Sequence, residues 1–207
     1  MCSSDLLELV DAFSENGNIS QALHLLERGI VLIGCDDDLL DLALSLRRQL
    51  GPHNGSQFMG LPTVSLCMIV RDESACLPRC LASARPVVDE IIVVDTGSID
   101  RTADVAEVFG AKVCHYRWEN DFAAARNHGL EKAGCKWVLV LDADEALSEH
   151  DYELVARALK SCAGKMVAWR ITTRNYTNRS ESEGWQTNDR SYPDQEQGDG
   201  WYPSYKV

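Results

Sequence analysis

Asp142 and Asp144 stand two residues apart, directly behind the apolar run Trp137-Val-Leu-Val-Leu141. In an extended segment residues i and i+2 face the same side, so the two carboxylates converge while Ala143 turns away. Two carboxylates on a rigid strand end suit a hard divalent cation, Mg2+ or Mn2+, which completes its shell with water and substrate phosphates. Such an ion neutralises charge on a departing diphosphate. The ordinary alternative is an acidic turn that caps the following helix. Repetition favours the chemistry, because other segments end in polar clusters too: Arg71-Asp72-Glu73, Asp95-Thr96-Gly97-Ser98 and Trp118-Glu119-Asn120-Asp121.

The elements that must position these clusters alternate along the chain. Apolar strands are expected over 64–70, 90–94, 112–116, 136–141 and 166–173. Helices are expected over 75–84, 101–109, 122–132 and 149–159. This alternation implies an α/β fold, a mainly parallel sheet with flanking helices, and ligands in such sheets sit beyond the carboxyl ends of the strands. Residues 1–50 read as a helical appendage, with Leu6, Leu9, Val10 and Phe13 on one face and breaks at Asn16-Gly17-Asn18 and Gly34. Asp36-Asp37-Asp38 is expected to cap the third helix rather than to bind metal. The spacing around Gly17 and Ala22-Leu23 faintly resembles one tetratricopeptide unit, fewer than a stable array needs. Residues 51–62, rich in Gly, Pro, Asn and Ser, read as a linker, and residues 63–207 as the main domain.

Composition narrows the function class. The net charge of −12 excludes a general nucleic-acid surface. No run approaches the length of a membrane span, and acidic residues at positions 5 and 8 break any early leader-like apolar stretch. A cytoplasmic protein, or one peripheral at the inner membrane face, is expected. The eight cysteines contain no Cys-x-x-Cys pair, and Cys67, Cys114 and Cys135 read as small packing residues. Cys76 and Cys80, four apart, are expected to share a helix face. The five histidines share no ligand spacing.

Four motifs in order carry a family resemblance. Val64-Ser-Leu-Cys-Met-Ile-Val-Arg-Asp-Glu73 resembles the first strand of family 2 glycosyltransferases, and Val93-Val-Asp-Thr-Gly-Ser-Ile-Asp-Arg-Thr102 their second-strand motif. Asn120-Asp-Phe-Ala-Ala-Ala-Arg-Asn127 is similar to the helix after the third strand, and Leu139-Val-Leu-Asp-Ala-Asp-Glu145 to the metal-binding segment. The resemblance implies a GT-A type fold and inverting, metal-dependent transfer of a sugar from a nucleotide sugar, UDP-sugar first among donors, to a glycan or lipid-linked acceptor. It implies nucleotide-sugar contacts from Val70, Arg71, Asp72, Glu73, Asp95, Gly97, Ser98, Arg126, Asn127, Asp142 and Ala143. Metal falls to Asp142 and Asp144, with Asp144 the better candidate for direct coordination. Arg126 would offset diphosphate charge or pair with Asp121 or Glu119. Asp95-Thr96 stands where many relatives have two consecutive acids. That feature and Arg71 resemble the branch linked to cell-surface glycan assembly, some of whose members carry helical repeats.

The same resemblance places the acceptor half and the catalytic base well downstream of the metal motif. None of Asp189, Asp194, Glu196 and Asp199 matches a family base, so the chain is expected to be incomplete at its C-terminal end and to retain donor binding alone. A non-catalytic protein docking partners through its helices is the alternative. A nucleotidyltransferase is disfavoured, because the first strand lacks a Gly-rich, Lys- or Arg-bearing phosphate loop. Trp185, Tyr192, Trp201, Tyr202 and Tyr205 would pack a long polar loop onto the sheet or line a sugar site. Residues 178–200 show little periodicity.

Overall fold

The computed structural model describes residues 3–161, 167–178 and 184–206, which divide into two compact units between Ala146 and Leu147. In the first unit, three helices precede the sheet: α1 (Ser3–Glu15), α2 (Ile19–Ile33) and α3 (Asp37–Leu50). Leu6 and Val10 of α1, Leu23, Leu26 and Ile30 of α2, and Leu39, Leu40 and Ala43 of α3 are buried. These are the apolar stripes that the helical spacing sets out, except in α1, where Phe13 is half-buried and Leu9, expected on the same face, is exposed because the buried stripe runs through Leu6 and Val10 alone. Leu6 of α1 packs directly over Gly29 of α2, where a Cβ would lie 2.5 Å from Leu6 Cδ2 and displace that side chain. Asp36 caps α3 as expected, its carboxylate accepting from the amides of Asp38 at 3.1 Å and Leu39 at 3.3 Å.

The helices are fastened to the sheet layer by a buried ion cluster. Glu27, 3% exposed, accepts from Arg47 at 2.8 Å and from Arg85 at 2.5 Å. Arg47 also donates to the carbonyls of Val108 at 2.8 Å and Gly51 at 3.2 Å. Burial pushes the Arg47 guanidinium down from its ordinary value, against the upward pull of Glu27. Removing one partner of such a cluster strands a buried charge, typically at about 3–5 kcal/mol.

Residues 51–62 are held along the way. His53 donates its amide to Gly110 at 2.8 Å, Gly55 donates to Asp89 at 3.0 Å, and the Asp89 carboxylate accepts from Ser56 at 3.2 Å and Val64 at 2.8 Å. The backbones approach closely where Gly110 adopts φ +85°; a Cβ there would meet His53 N at 2.6 Å.

The sheet contains β1 (Val64–Val70), β2 (Glu90–Asp95), β3 (Lys112–His115) and β4 (Trp137–Val140), all parallel, in the order β3-β2-β1-β4. Intervening helices are α4 (Leu77–Ala84), α5 (Thr102–Val108) and α6 (Phe122–Leu130). Every residue of β2 is buried, as in a central strand covered on both faces. Helix α6 packs on β1 and β2, and α5 on β2 and β3. Cys80 of α4 is buried, whereas Cys76 precedes the helix and is exposed, so the two do not share a face as expected.

The second unit has a short 3-10 turn (Glu149–Asp151), α7 (Tyr152–Ser161), β5 (Ile171–Thr177), β6 (Gln186–Thr187) and β7 (Gly200–Lys206). Here the structure corrects the expectation of a further parallel strand over 166–173. β5 runs antiparallel to β7, Ile171 opposite Lys206 and Thr177 opposite Gly200, in a separate sheet ordered β5-β7-β6. Its Ile-Thr-Thr-Arg-Asn-Tyr-Thr sequence lacks the continuous apolar run of a strand buried on both faces. Met166, at the expected start of that strand, lies outside the described residues, as do Cys2 and Cys162.

Two of the five aromatics pack around a cation. The Arg174 guanidinium lies 4.4 Å from the Tyr192 ring centroid and 4.3 Å from that of buried Trp201, and donates to Asp189 at 3.1 Å. Tyr192 donates its hydroxyl to Asp151 at 3.0 Å. The mainly parallel sheet with flanking helices, preceded by a helical segment, is the architecture the sequence implies.

Candidate nucleotide-sugar site

The strand order reverses between β1 and β4, and in open α/β sheets that switch point is where a crevice for ligand opens. β4 pairs with β1 only from Val64 to Cys67, so Met68, Ile69 and Val70 extend beyond the last paired position. The loop after β1 and the turn after β4 flank this opening.

The loop after β1 is stitched to the turn after β2. Asp72, at φ +54°, donates its amide to Ser98 Oγ at 3.0 Å, and its carboxylate accepts from the Ile99 amide at 2.7 Å. The Glu73 amide donates to Thr102 Oγ1 at 2.7 Å, and the Ser74 amide to Asp100 Oδ2 at 3.1 Å. Thr96 donates its amide to the Val70 carbonyl at 3.0 Å and its hydroxyl to the same oxygen at 3.1 Å. Residues 70–74 are therefore fixed by residues 96–102 rather than by a helix of their own.

Asp95 is the keystone of that turn. It is 3% exposed; Oδ1 accepts from the Gly97 amide at 3.3 Å, the Ser98 amide at 2.9 Å and the Ser98 hydroxyl at 2.6 Å. Oδ2 lies 3.2 Å from His115 Nδ1. Burial pushes its carboxyl up, but the hydrogen bonds from Ser98, His115 and Gly97 outweigh it and hold the group below its ordinary value. Gly97, at φ +105°, supplies a backbone angle that a side chain would resist.

The turn after β4 carries the two aspartates. The strand stops at Val140, so Asp142 and Asp144 lie on a turn and not on a strand extension: the Glu145 amide donates to the Asp142 carbonyl at 3.0 Å, and the Asp142 amide to Glu145 Oε2 at 2.9 Å. The outcome still matches the alternation argument. Asp142 and Asp144 are exposed, and Ala143 is buried. Arg126 points at this turn, its Nη2 lying 3.9 Å from Asp142 Oδ1, while Asp121 accepts from the Ala124 amide at 2.9 Å to cap α6. Asn127 is exposed one residue beyond Arg126, and Arg71 is exposed with its Nε 3.9 Å from Asp72 Oδ2.

Electrostatics links the two sides of the crevice. The Glu73 carboxyl is raised above its ordinary value, first by burial and then by the negative charges of Asp144, Asp100, Asp142 and Asp72. Asp100, in contrast, is held down at about 2: burial raises it, but hydrogen bonds from Thr102 and Ser74 prevail. Among the described residues no group of three or more His, Cys, Asp or Glu side chains encloses a metal ion. Mg2+ and Mn2+ do not need one, since one or two carboxylates with waters and substrate phosphates are their usual shell. The all-oxygen donor set of Asp142 and Asp144, exposed on one turn, fits such a cation.

Asp100, Thr102, Thr96 and His115 were not singled out by sequence reasoning as site residues. The Asp-x-Thr spacing of 100–102 is a local capping signal, but its reach to Glu73 and Ser74 is long-range.

The chain is similar to several known proteins. The chain is 58% identical over 92 residues to a TPR repeat-containing protein of Synechococcus elongatus, covering 44% of this chain and 23% of that protein. It is 33% identical over 101 residues to the prophage-derived glycosyltransferase SunS of Bacillus subtilis, covering 48% of this chain and 24% of that one. The chain thus spans about a quarter of the length of these relatives. A solved mannosyltransferase of Pyrobaculum calidifontis, in complex with GDP-Man and Mn2+, aligns with 78% of this chain and 47% of its own at 20% identity and a TM-score of 0.45. The family described as glycosyl transferase family 2 matches residues 65–203, two-thirds of the sequence, and the chain belongs to that family.

Proposed function

We propose that this chain forms the donor-binding part of a metal-dependent, inverting glycosyltransferase. It takes a nucleotide sugar, UDP-sugar first, with its diphosphate over the opening between β1 and β4. Asp144, with Asp142, holds Mg2+ or Mn2+; when bound, the ion offsets the charge of the leaving diphosphate. The observation that carries the reading is the place of Asp142 and Asp144, both exposed on the turn after β4 and beside the switch point between β1 and β4; burial, and then their negative charges among others, raises the Glu73 carboxyl on the loop after β1. Arg126 steadies Asp142 and is within reach of the same anion. Gly97 and Ser98 bring backbone against the nucleotide, and Asp95, buried and fully engaged, acts by shaping their turn. Val70, Arg71, Asp72 and Asn127 line the approach.

Deprotonation of the acceptor hydroxyl requires a base. Asp189 is poorly suited to that role, because hydrogen bonds from Arg174 and Ser191 hold its carboxyl well below the usual range. The acceptor in this reading is a glycan or lipid-linked hydroxyl on the cytoplasmic side.

Calorimetric titration of UDP, GDP and their sugars, each with and without Mn2+, tests the proposal. Metal-dependent binding that disappears in Asp144→Ala is expected. Binding indifferent to both metal and that substitution would overturn the site.

A further inference from the structure

The N-terminal helical segment reaches the donor loop directly at Ser74 and indirectly through the turn after β2 that holds the same residue. Ser74, in the loop after β1, has its amide held by Asp100 Oδ2 at 3.1 Å, and its carbonyl accepts from Cys35 Sγ at 3.2 Å. Cys35 belongs to the connection between α2 and α3. Three consecutive side chains after β2 then divide their work. Asp100 and Thr102 bind the Ser74 and Glu73 amides, while Arg101 between them binds the helices. Its Nη1 donates to Asp37 at 2.7 Å and its Nη2 to Asp41 at 2.5 Å, both on α3, and its Nε donates to Asp104 at 2.5 Å. One guanidinium thus ties the first turns of α3 to the start of α5, at the point from which the donor loop is held.

Resting on the donor-site reading, we propose that Arg101 is a positioning residue: through Asp37 and Asp41 it makes the helical segment a support for the nucleotide loop 71–74. The helices then set donor affinity as well as stability. The network is partly exposed, with Arg101 at 34% and Asp37 at 78% side-chain exposure, so the coupling is moderate and weakens with salt.

A second ion pair supplies the control. Arg48 and Glu107 join α3 to α5 at 2.9 Å, with side-chain exposures of 64% and 37%, and make no bond to the loop among the described residues. Hydrogen exchange at the Glu73 and Ser74 amides, together with titration of UDP plus Mn2+, should be compared in Arg101→Gln, the double variant Asp37→Asn/Asp41→Asn, and Arg48→Gln. The first two are expected to speed exchange at these amides and to weaken UDP by about threefold, the scale of an exposed ion pair. Arg48→Gln should leave both readings at the wild-type value. If Arg101→Gln does not fold, the double variant, which retains the Arg101–Asp104 pair, carries the test. Exchange and affinity unchanged in the folded variants, or changed equally in Arg48→Gln, would overturn the proposal. A wild-type chain that fails to bind UDP but whose loop exchange responds selectively to Arg101 would sink the donor reading and keep the coupling.

Discussion

Two glutamates flank the same pair of strands and have opposite surroundings. Glu90 opens β2 at the amino end of the sheet, where its carboxylate accepts from Ser65 Oγ at 2.6 Å, the Gly134 amide at 2.6 Å and Lys112 Nζ at 3.0 Å. Burial works against its charge, yet these bonds prevail and hold it at about 2. Glu73 lies three residues beyond the end of β1, at the carboxyl edge, and is raised first by burial and then by the charges of Asp144, Asp100, Asp142 and Asp72. A carboxylate whose lone pairs are answered by the fold is serving the fold. One that faces its own kind is held there against its preference, and such arrangements cluster where a ligand supplies the missing charge. The amino end of the sheet is thus a structural end, and the carboxyl end the one proposed to meet the ligand.

The contrast is sharpest for stability. Glu90→Gln should destabilise the protein by about 3 kcal/mol, the equivalent of its depressed carboxyl. Denaturant unfolding checks the value, and nucleotide affinity of the folded variant should stay unchanged. The pH dependence follows with its sign. A carboxyl depressed in the folded state contributes fully above its unfolded value, near 4.5, and the contribution is lost as pH falls toward about 2. Acid unfolding of Glu90→Gln should therefore lack part of the steep loss that wild type shows between those limits. Asp144→Asn should do the reverse of Glu90→Gln, abolishing metal-dependent binding while changing unfolding free energy by no more than about 0.5 kcal/mol, as for surface substitutions. The smallest effect belongs to Glu73→Gln. Relief of repulsion should stabilise the metal-free protein by less than about 1 kcal/mol at neutral pH, and the gain should shrink when Mn2+ and UDP are present.

The sequence made the skeleton of this contrast legible. Strand ends show in the switch from apolar runs to Asp, Gly and Ser, so the four parallel strands and their acidic edges could be placed before any coordinates. Asp36 could be read as a cap because capping is local. Long-range partners could not be read. For Arg126 the sequence leaves two readings, compensation of diphosphate charge or pairing with its neighbours Asp121 or Glu119; the fold brings it toward Asp142, sixteen residues on, while Asp121 caps its own helix. Asp95 looked like a ligand-facing acid, and nothing in its neighbours declares that His115 and Ser98 would occupy both of its oxygens. β5 failed for the same reason: a strand's own pattern does not name its partner, and here the partner is β7, about thirty residues later. The support that α3 gives to the donor loop also hides in pairs sixty or more residues apart, Arg101 with Asp37 and Asp41.

The central claim is that Asp144 and Asp142 hold a divalent cation on a nucleotide diphosphate. Electron paramagnetic resonance of free Mn2+ measures this directly, in mixtures of Mn2+, UDP and the protein. The free-ion signal should fall further with protein and UDP together than the sum of their separate effects, and Asp144→Ala should abolish that excess. An excess that persists undiminished in Asp144→Ala, or its absence in the wild-type protein with both UDP and GDP, would contradict the claim.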